Sequence, residues 1–203
     1  MKLLTYYKIY YEHRIKKANI LLKLYIYLIL PFRYFYNLIY LPRKKNLDLA
    51  ENQNRSLRNL DLSSLFDYFN SDKGESFEDQ YIQPFKRTKK KIKGHGYAKY
   101  YEENFKNFKN QSISLLEIGS FHGNAAAAFF FYFDKAKIYS GDIFPDLFRY
   151  KSKRIFSFYV NSSDEISIKN NILNNNLQFE IIIEDASHCL KDQIISLFML
   201  FKS

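Results

Sequence analysis

Four short runs of bulky apolar residues, at 115–118, 137–141, 155–160 and 179–184, alternate with helix-like stretches at 123–133, about 163–175 and 189–201. Strands covered on both faces read as unbroken apolar runs, and strands separated by helices pair in parallel within one sheet. The alternation predicts an α/β fold with a doubly wound parallel sheet of about four strands, in spatial order 3-2-1-4. In such sheets ligands bind at the carboxyl ends of the strands. The chemistry-bearing residues of this chain cluster at those ends.

After the first run, Gly119-Ser120-Phe121-His122-Gly123 joins strand to helix. A turn bounded by glycines lets backbone N–H groups approach a ligand, and the helix N-terminus adds positive potential. Asp142 closes the second run 19 residues beyond Gly123. That is near the roughly 20-residue offset at which a second-strand carboxylate meets ribose hydroxyls. The pair reads as a nucleotide-type cofactor cradle; the alternative is an ordinary tight turn with Asp142 capping a loop. Asp185 and His188 follow the fourth run, three residues apart. A lone histidine more often caps or packs, but beside a carboxylate at a strand end it reads as a general base. Glu184 is expected to face away from the ligand, since strand neighbours alternate. His122 is expected to be simply exposed, and Cys189 to be packed at the start of a helix.

A chain of 203 residues has room for one core domain and an appendage. The single cysteine rules out a disulfide framework and a cysteine-based zinc site, and fits a reducing, cytoplasmic setting. The net charge of +10 is concentrated at one end. Residues 1–45 hold ten Lys/Arg against Glu12 alone, whereas 46–203 hold 21 basic and 20 acidic residues. The near-neutral remainder argues against a nucleic-acid partner.

The basic arm, 1–45, interleaves its charges with large apolar and aromatic residues, and Pro31 is expected to interrupt its helix. A spanning helix needs about 20 mostly apolar residues. Residues 20–41 reach that length only by carrying Lys23, Arg33, Asn37 and a proline kink. An interfacial or shallow re-entrant segment, peripheral at the inner face of an anionic membrane, is the preferred reading. A true span and helices packed on the domain are the alternatives. No small-residue cleavage site follows the apolar stretch, which argues against a signal peptide.

Residues 46–110 read as a linker and helical lead-in. They contain a polar stretch at 46–62, a short helix through Phe69 capped by Ser63-Ser64, and a turn at Ser71-Asp72-Lys73-Gly74. A solvated charge run, Lys86-Arg87-Thr88-Lys89-Lys90-Lys91, and an amphipathic helix over 100–108 follow. The remaining unit is 111–203.

On these motifs a resemblance becomes specific. Glu117-Ile118-Gly119-Ser120-Phe121-His122-Gly123, Ile138-Tyr139-Ser140-Gly141-Asp142-Ile143 and Ile182-Ile183-Glu184-Asp185-Ala186-Ser187-His188 look like class I S-adenosylmethionine-dependent methyltransferases. They are most similar to the macrocin-type sugar O-methyltransferases. Ser71-Asp72-Lys73-Gly74 and His95-Gly96-Tyr97 with Tyr100-Tyr101-Glu102 resemble that group's lead-in segment, so the likeness covers about 63–203. Two departures stand out: roughly twenty residues separate the Asp-Lys-Gly and His-Gly-Tyr elements, and the loop lacks the commoner middle glycine.

The resemblance implies a Rossmann-like domain in which Glu117, Gly119 and Gly123 form the S-adenosylmethionine pocket. It gives Asp142 the ribose and Asp164 the neighbourhood of the adenine. It makes Asp185 a ligand of Mg²⁺ and His188 the base that deprotonates a sugar hydroxyl on a saccharide or glycolipid acceptor. A hydroxyl of very high pKa needs an aligned base, and a hard cation would lower that pKa. Family members add a fifth strand and further acidic ligands, which do not follow before Ser203. A truncated frame, or a half completed by another chain or a homo-oligomer, is therefore expected. The rival reading is a catalytically inactive, membrane-associated scaffold. An NAD-type Rossmann protein is disfavoured, because Asp185-Ala186-Ser187-His188 has no role in hydride transfer.

Overall fold

A computed structural model describes Leu4, residues 19–78 and residues 91–201. Residues 86–90 of the expected charge run lie outside them. The first long element is α1 (Ile20–Tyr40), followed by β1 (Lys45–Asn46), α2 (Leu47–Gln53) and α3 (Leu62–Tyr68). A hairpin of β2 (Ser76–Glu78) and β3 (Lys91–Lys93) precedes α4 (Ala98–Phe105). The core then runs β4 (Ser114–Ile118), α5 (Asn124–Tyr132), β5 (Lys137–Asp142), β6 (Tyr150–Lys151) and β7 (Ile155–Tyr159). It continues through α6 (Glu165–Asn171), β8 (Ile181–Glu184) and α7 (Leu190–Leu200). The main sheet has the order β7-β5-β4-β8 with every pair parallel, which is the 3-2-1-4 arrangement expected from the apolar runs.

Alternation along the strands divides the interior into two cores. Leu115, Ile138, Ile155, Ile181 and Ile183 pack with residues of α2, α3 and α5. Leu116 and Ile118 point the other way, against Ile168 of α6 and Leu200 of α7. Helix α5 is sandwiched between the sheet and α3, so every residue from Ala125 to its end is buried. A helix apolar all round is stable only in such a place. Its four alanines let it approach the sheet. Its phenylalanines fill the wider end, Phe129 edge-on to Phe66 and Phe131 stacked on Phe69, each at 5.5 Å.

Three local expectations are corrected. Residues 46–62 are not a linker: β1 pairs with β6, and Leu47 and Leu57 are buried in the main core. Their apolar residues are spaced widely enough to look polar in sequence, yet Leu47, Leu57 and Leu62 reach the interior while Leu49 stays exposed. The cap of α3 is Asp61 rather than Ser63-Ser64; its Oδ1 accepts from the Ser64 N–H at 2.7 Å. A carboxylate suits the positive end of a helix better than a hydroxyl. Pro31 does not interrupt α1, which continues through it for 21 residues. Proline removes one donor from the ladder, and the turns on either side carry the helix across. No helix among the described residues is long and apolar enough to cross a membrane.

Candidate functional site

Strands β4, β5 and β8 end together, with Ile118 opposite both Gly141 and Glu184. Their carboxyl ends open on a cavity of about 800 Å³, within the range of small-molecule and cofactor sites. Glu117, Gly119, Asp142, Asp185 and His188 all line it, so residues far apart in sequence converge on one rim.

The loop after β4 is shaped for close approach. Gly119 has φ +94°, and a Cβ there would lie 2.1 Å from the Asp185 carbonyl oxygen. The turn after β8 is therefore seated directly on the glycine. Gly123 has φ +81°, and a Cβ would meet the Phe148 ring at 2.3 Å. Its N–H closes the turn onto Ser120 O at 2.6 Å and it caps α5. Asp142 binds this loop to its own strand. Its Oδ2 accepts from the Phe121 N–H at 2.8 Å and its Oδ1 from the Phe144 N–H at 2.7 Å. A carboxylate has about four acceptor positions, so both oxygens keep capacity toward a ligand.

Beneath the rim lies a buried ionic cluster that sequence reasoning missed. Lys73, 3% exposed, reaches in from the turn after α3. Its Nζ pairs with Glu117 Oε1 at 3.4 Å, lies 4.0 Å from Asp72 Oδ1, and donates to Asp185 Oδ2 in the tightest contact of the three. Burial alone would lower the Lys73 pKa, but Glu117, Asp185 and Asp72 together outweigh it and hold it above the ordinary lysine value. Glu117 is pushed up by burial, against the pull of Lys73. Its second oxygen, Oε2, is buried without a hydrogen-bond partner among the described residues.

The lead-in motifs come together in space although they are separate in sequence. His95 N–H donates to Asp72 O at 2.8 Å, Gly96 N–H to Gly74 O at 3.0 Å, and Tyr97 N–H to Lys73 O at 2.9 Å. These bonds close the base of the β2–β3 hairpin. The strands enter and leave opposite one another, Glu78 facing Lys91, so the length of chain between them does not disturb the pairing. His95 also lines the cavity and stacks on Tyr97.

Other expectations meet different outcomes. Asp164 does not line the cavity: its Oδ1 caps α6 through the Ile166 N–H at 3.1 Å, and Ser162 and Ser163 face the cavity instead. His122 is half-buried on the cavity wall rather than simply exposed, stacked on Phe121 at 4.0 Å. Burial and the nearby Arg149 push it down to about 4, so the ring is neutral at neutral pH. Cys189 precedes α7 as its cap residue and is exposed rather than packed, because the apolar face of α7 begins beyond it. Glu184 borders a separate groove between β8 and α7, as alternation requires. His188 is exposed at the rim. Asp192, in the first turn of α7, accepts from both Ser163 Oγ and Ser187 Oγ at 2.7 Å and so ties the turns after β7 and β8 together. Those two hydroxyls hold its carboxyl below the usual range.

Metal ligation is less complete. Among the described residues no three His, Cys, Asp or Glu side chains group as a metal site, and Asp185 is engaged by the Lys73 ammonium. These side chains do not by themselves form a Mg²⁺ site, for which one carboxylate leaves too few oxygens.

The chain is similar to two solved structures of the MycE methyltransferase from the mycinamycin biosynthetic pathway. One is in complex with Mg, SAH and mycinamycin VI, the other with Mg and SAH. Each match has a TM-score of 0.55 at 22% identity and covers 70% of this chain and 36% of that chain. The matched region thus spans little more than a third of those proteins. At this identity the likeness establishes the fold alone, a Rossmann-like α/β domain. No family model matches the chain, and no curated protein matches it.

Proposed function

We propose that this chain binds S-adenosylmethionine in the 800 Å³ cavity and serves O-methylation of a saccharide hydroxyl. The observation that carries the reading is Glu117 Oε2, a carboxylate oxygen buried at the cavity with no hydrogen-bond partner among the described residues. Leaving such an atom unpaired is costly, and a ligand ammonium would satisfy it. The methionine end of S-adenosylmethionine provides that ammonium. Gly119 and Gly123 leave room for its backbone-hugging chain, Asp142 offers acceptors to the ribose hydroxyls, and Ser162 and Ser163 flank the adenine end in place of Asp164. When bound, the cofactor supplies an electrophilic methyl group.

The chain's own part in the reaction falls to the turn after β8. His188 at the rim would accept the acceptor hydroxyl's proton on an imidazole nitrogen as the oxygen attacks, which a hydroxyl of high pKa requires. Lys73 pairs with the Asp185 carboxylate and holds it in place beside His188. The SAH and Mg of the two solved neighbours support the cofactor reading. For Mg²⁺, Asp185 would be the carboxylate this chain contributes, in competition with Lys73. The saccharide acceptor rests on the motif resemblance.

Calorimetric titration of the full chain with S-adenosylmethionine and its demethylated product tests the reading. Both should bind, and Asp142→Ala should weaken them about tenfold or more, roughly 1.4 kcal/mol or above. His188→Ala should retain cofactor affinity while methyl transfer to a saccharide panel is lost. The Lys73–Asp185 pair favours one second reading, the inactive scaffold, because it occupies the expected metal ligand. An absence of binding, or binding indifferent to Asp142→Ala, would establish that alternative.

A further inference from the structure

Helix α1 is built inside out. Its two charged residues, Lys23 and Arg33, and its one internal amide, Asn37, lie on the shielded stripe that contains Leu30. Every exposed residue from Ile20 to the end of the helix is apolar or aromatic, including Leu21, Leu28, Phe32 and Ile39, each more than 70% exposed. A surface helix normally shows the reverse pattern.

The polar stripe is held by the domain. Asn37 Nδ2 donates to Asp146 Oδ2 at 2.7 Å, Arg33 Nε lies 3.7 Å from the same oxygen, and the Arg33 guanidinium sits over the Phe144 ring at 4.8 Å. Asp146 is buried, so the docking is specific. The apolar arc thereby faces outward as one contiguous patch, larger than soluble monomers ordinarily tolerate. Where α1 ends, Arg43, Lys44 and Arg149 line a second cavity of about 220 Å³. Burial lowers the Lys44 pKa and the adjacent Arg149 lowers it further, against the pull of Asp146, which lines the same cavity. Three cationic side chains there outnumber that one carboxylate, although the Arg149 guanidinium also donates to the Leu147, Pro42 and Asp146 carbonyls.

We propose that α1 lies in the plane of an anionic phospholipid bilayer, its apolar arc in the acyl boundary and the Arg43–Lys44–Arg149 cavity on a lipid phosphate. Charge selects this occupant. Ten Lys/Arg against one acid in residues 1–45 complement an anionic surface. A second copy of this chain would bring its own Arg43, Lys44 and Arg149 to the same helix end, and like charges oppose that contact. The in-plane geometry follows from the helix being long enough to span but, with Lys23, Arg33 and Asn37 inside it, not apolar enough. The proposal is independent of the reaction assigned to the large cavity.

The chain contains no tryptophan, so Phe32→Trp introduces a single, selectively excitable tryptophan on the outward arc. With vesicles of phosphatidylcholine and phosphatidylglycerol, its emission should shift to the blue and be quenched by brominated lipid. Cosedimentation of the full chain should weaken tenfold or more in Leu28→Glu/Phe32→Glu, and also in Arg43→Ala/Lys44→Ala on anionic vesicles alone. Circular dichroism of the variants should match the parent, since the arc is already exposed. Failure of a monodisperse protein to bind these vesicles, or an emission unchanged by them, would overturn the proposal. So would a stable dimer that Leu28→Glu/Phe32→Glu converts to monomer, which would assign the arc to self-association.

Discussion

Lys73→Met should destabilise the protein by about 3–5 kcal/mol, the usual cost of removing one partner from a buried ion pair. For a chain of this length that is a fall in Tm of roughly 6–20 °C. Methionine fills the same volume, so the loss isolates the charge. Glu117, 1% exposed, would keep its burial and lose its cation, and Asp185 would lose its tightest contact. The deficit should depend on pH in a definite direction. Burial already raises the Glu117 pKa, and removing Lys73 raises it further. An acid with a raised folded pKa loses stability as pH rises above its unfolded value near 4.3. The gap between variant and parent should therefore be small near pH 4.5 and widen toward neutrality. Lys73 itself adds no slope there, because a raised lysine contributes fully below about pH 10.4 and is lost only as pH rises through its folded value. Adding Glu117→Gln to Lys73→Met should recover much of the deficit by removing the stranded charge. Thermal melts from pH 4.5 to 8 decide the matter: a constant gap, or one under a degree, would show that the cluster does not hold these elements together.

Gly119→Ala should be nearly as damaging, for a different reason. The residue sits at φ +94°, where a side chain costs roughly 1–3 kcal/mol before any contact is considered. The new methyl would also lie 2.1 Å from the Asp185 carbonyl oxygen and 2.5 Å from the Ala186 Cα. Both are backbone atoms and cannot rotate aside, so the turn carrying Asp185 and His188 must lift from β4. Loss of stability and loss of cofactor binding should then occur together. Gly141→Ala offers a contrast: its nearest obstacles are the Val160 and Phe158 side chains, which can yield. If Gly119→Ala melts like the parent and binds S-adenosylmethionine equally well, the close approach of the two turns is not what forms the pocket.

Much of the site could be read in advance because it depends on local grammar. Glycines at 119 and 123, a carboxylate closing the next strand, and Asp185 and His188 after the fourth apolar run each mark a strand end. The parallel order follows once helices separate the strands. Lys73 was not legible in the same way. A lysine between Asp72 and Gly74 in a polar turn reads as solvated, and nothing near it in sequence indicates that Glu117 and Asp185 will surround it. Asp164 was misplaced for the opposite reason: it directly follows Ser162 and Ser163, which line the cavity, but its carboxylate is taken by the first turn of its own helix. Asp192 gave no signal, since its two partners belong to turns that meet only when β7 and β8 join one sheet.

The amino-acid pattern alone determined the strands, the helices between them, their order, and which rim would carry polar groups. Those properties arise from side-chain periods and turn residues acting over a few positions. Tertiary structure alone decided which charges are buried and which apolar residues are left outside. Lys73 becomes interior because two carboxylates from distant segments, Glu117 and Asp185, meet around it, and α1 turns Arg33 and Asn37 inward because Asp146 and Phe144 receive them. Burial of a charge is set by the partner that arrives, and that partner comes from outside the local window.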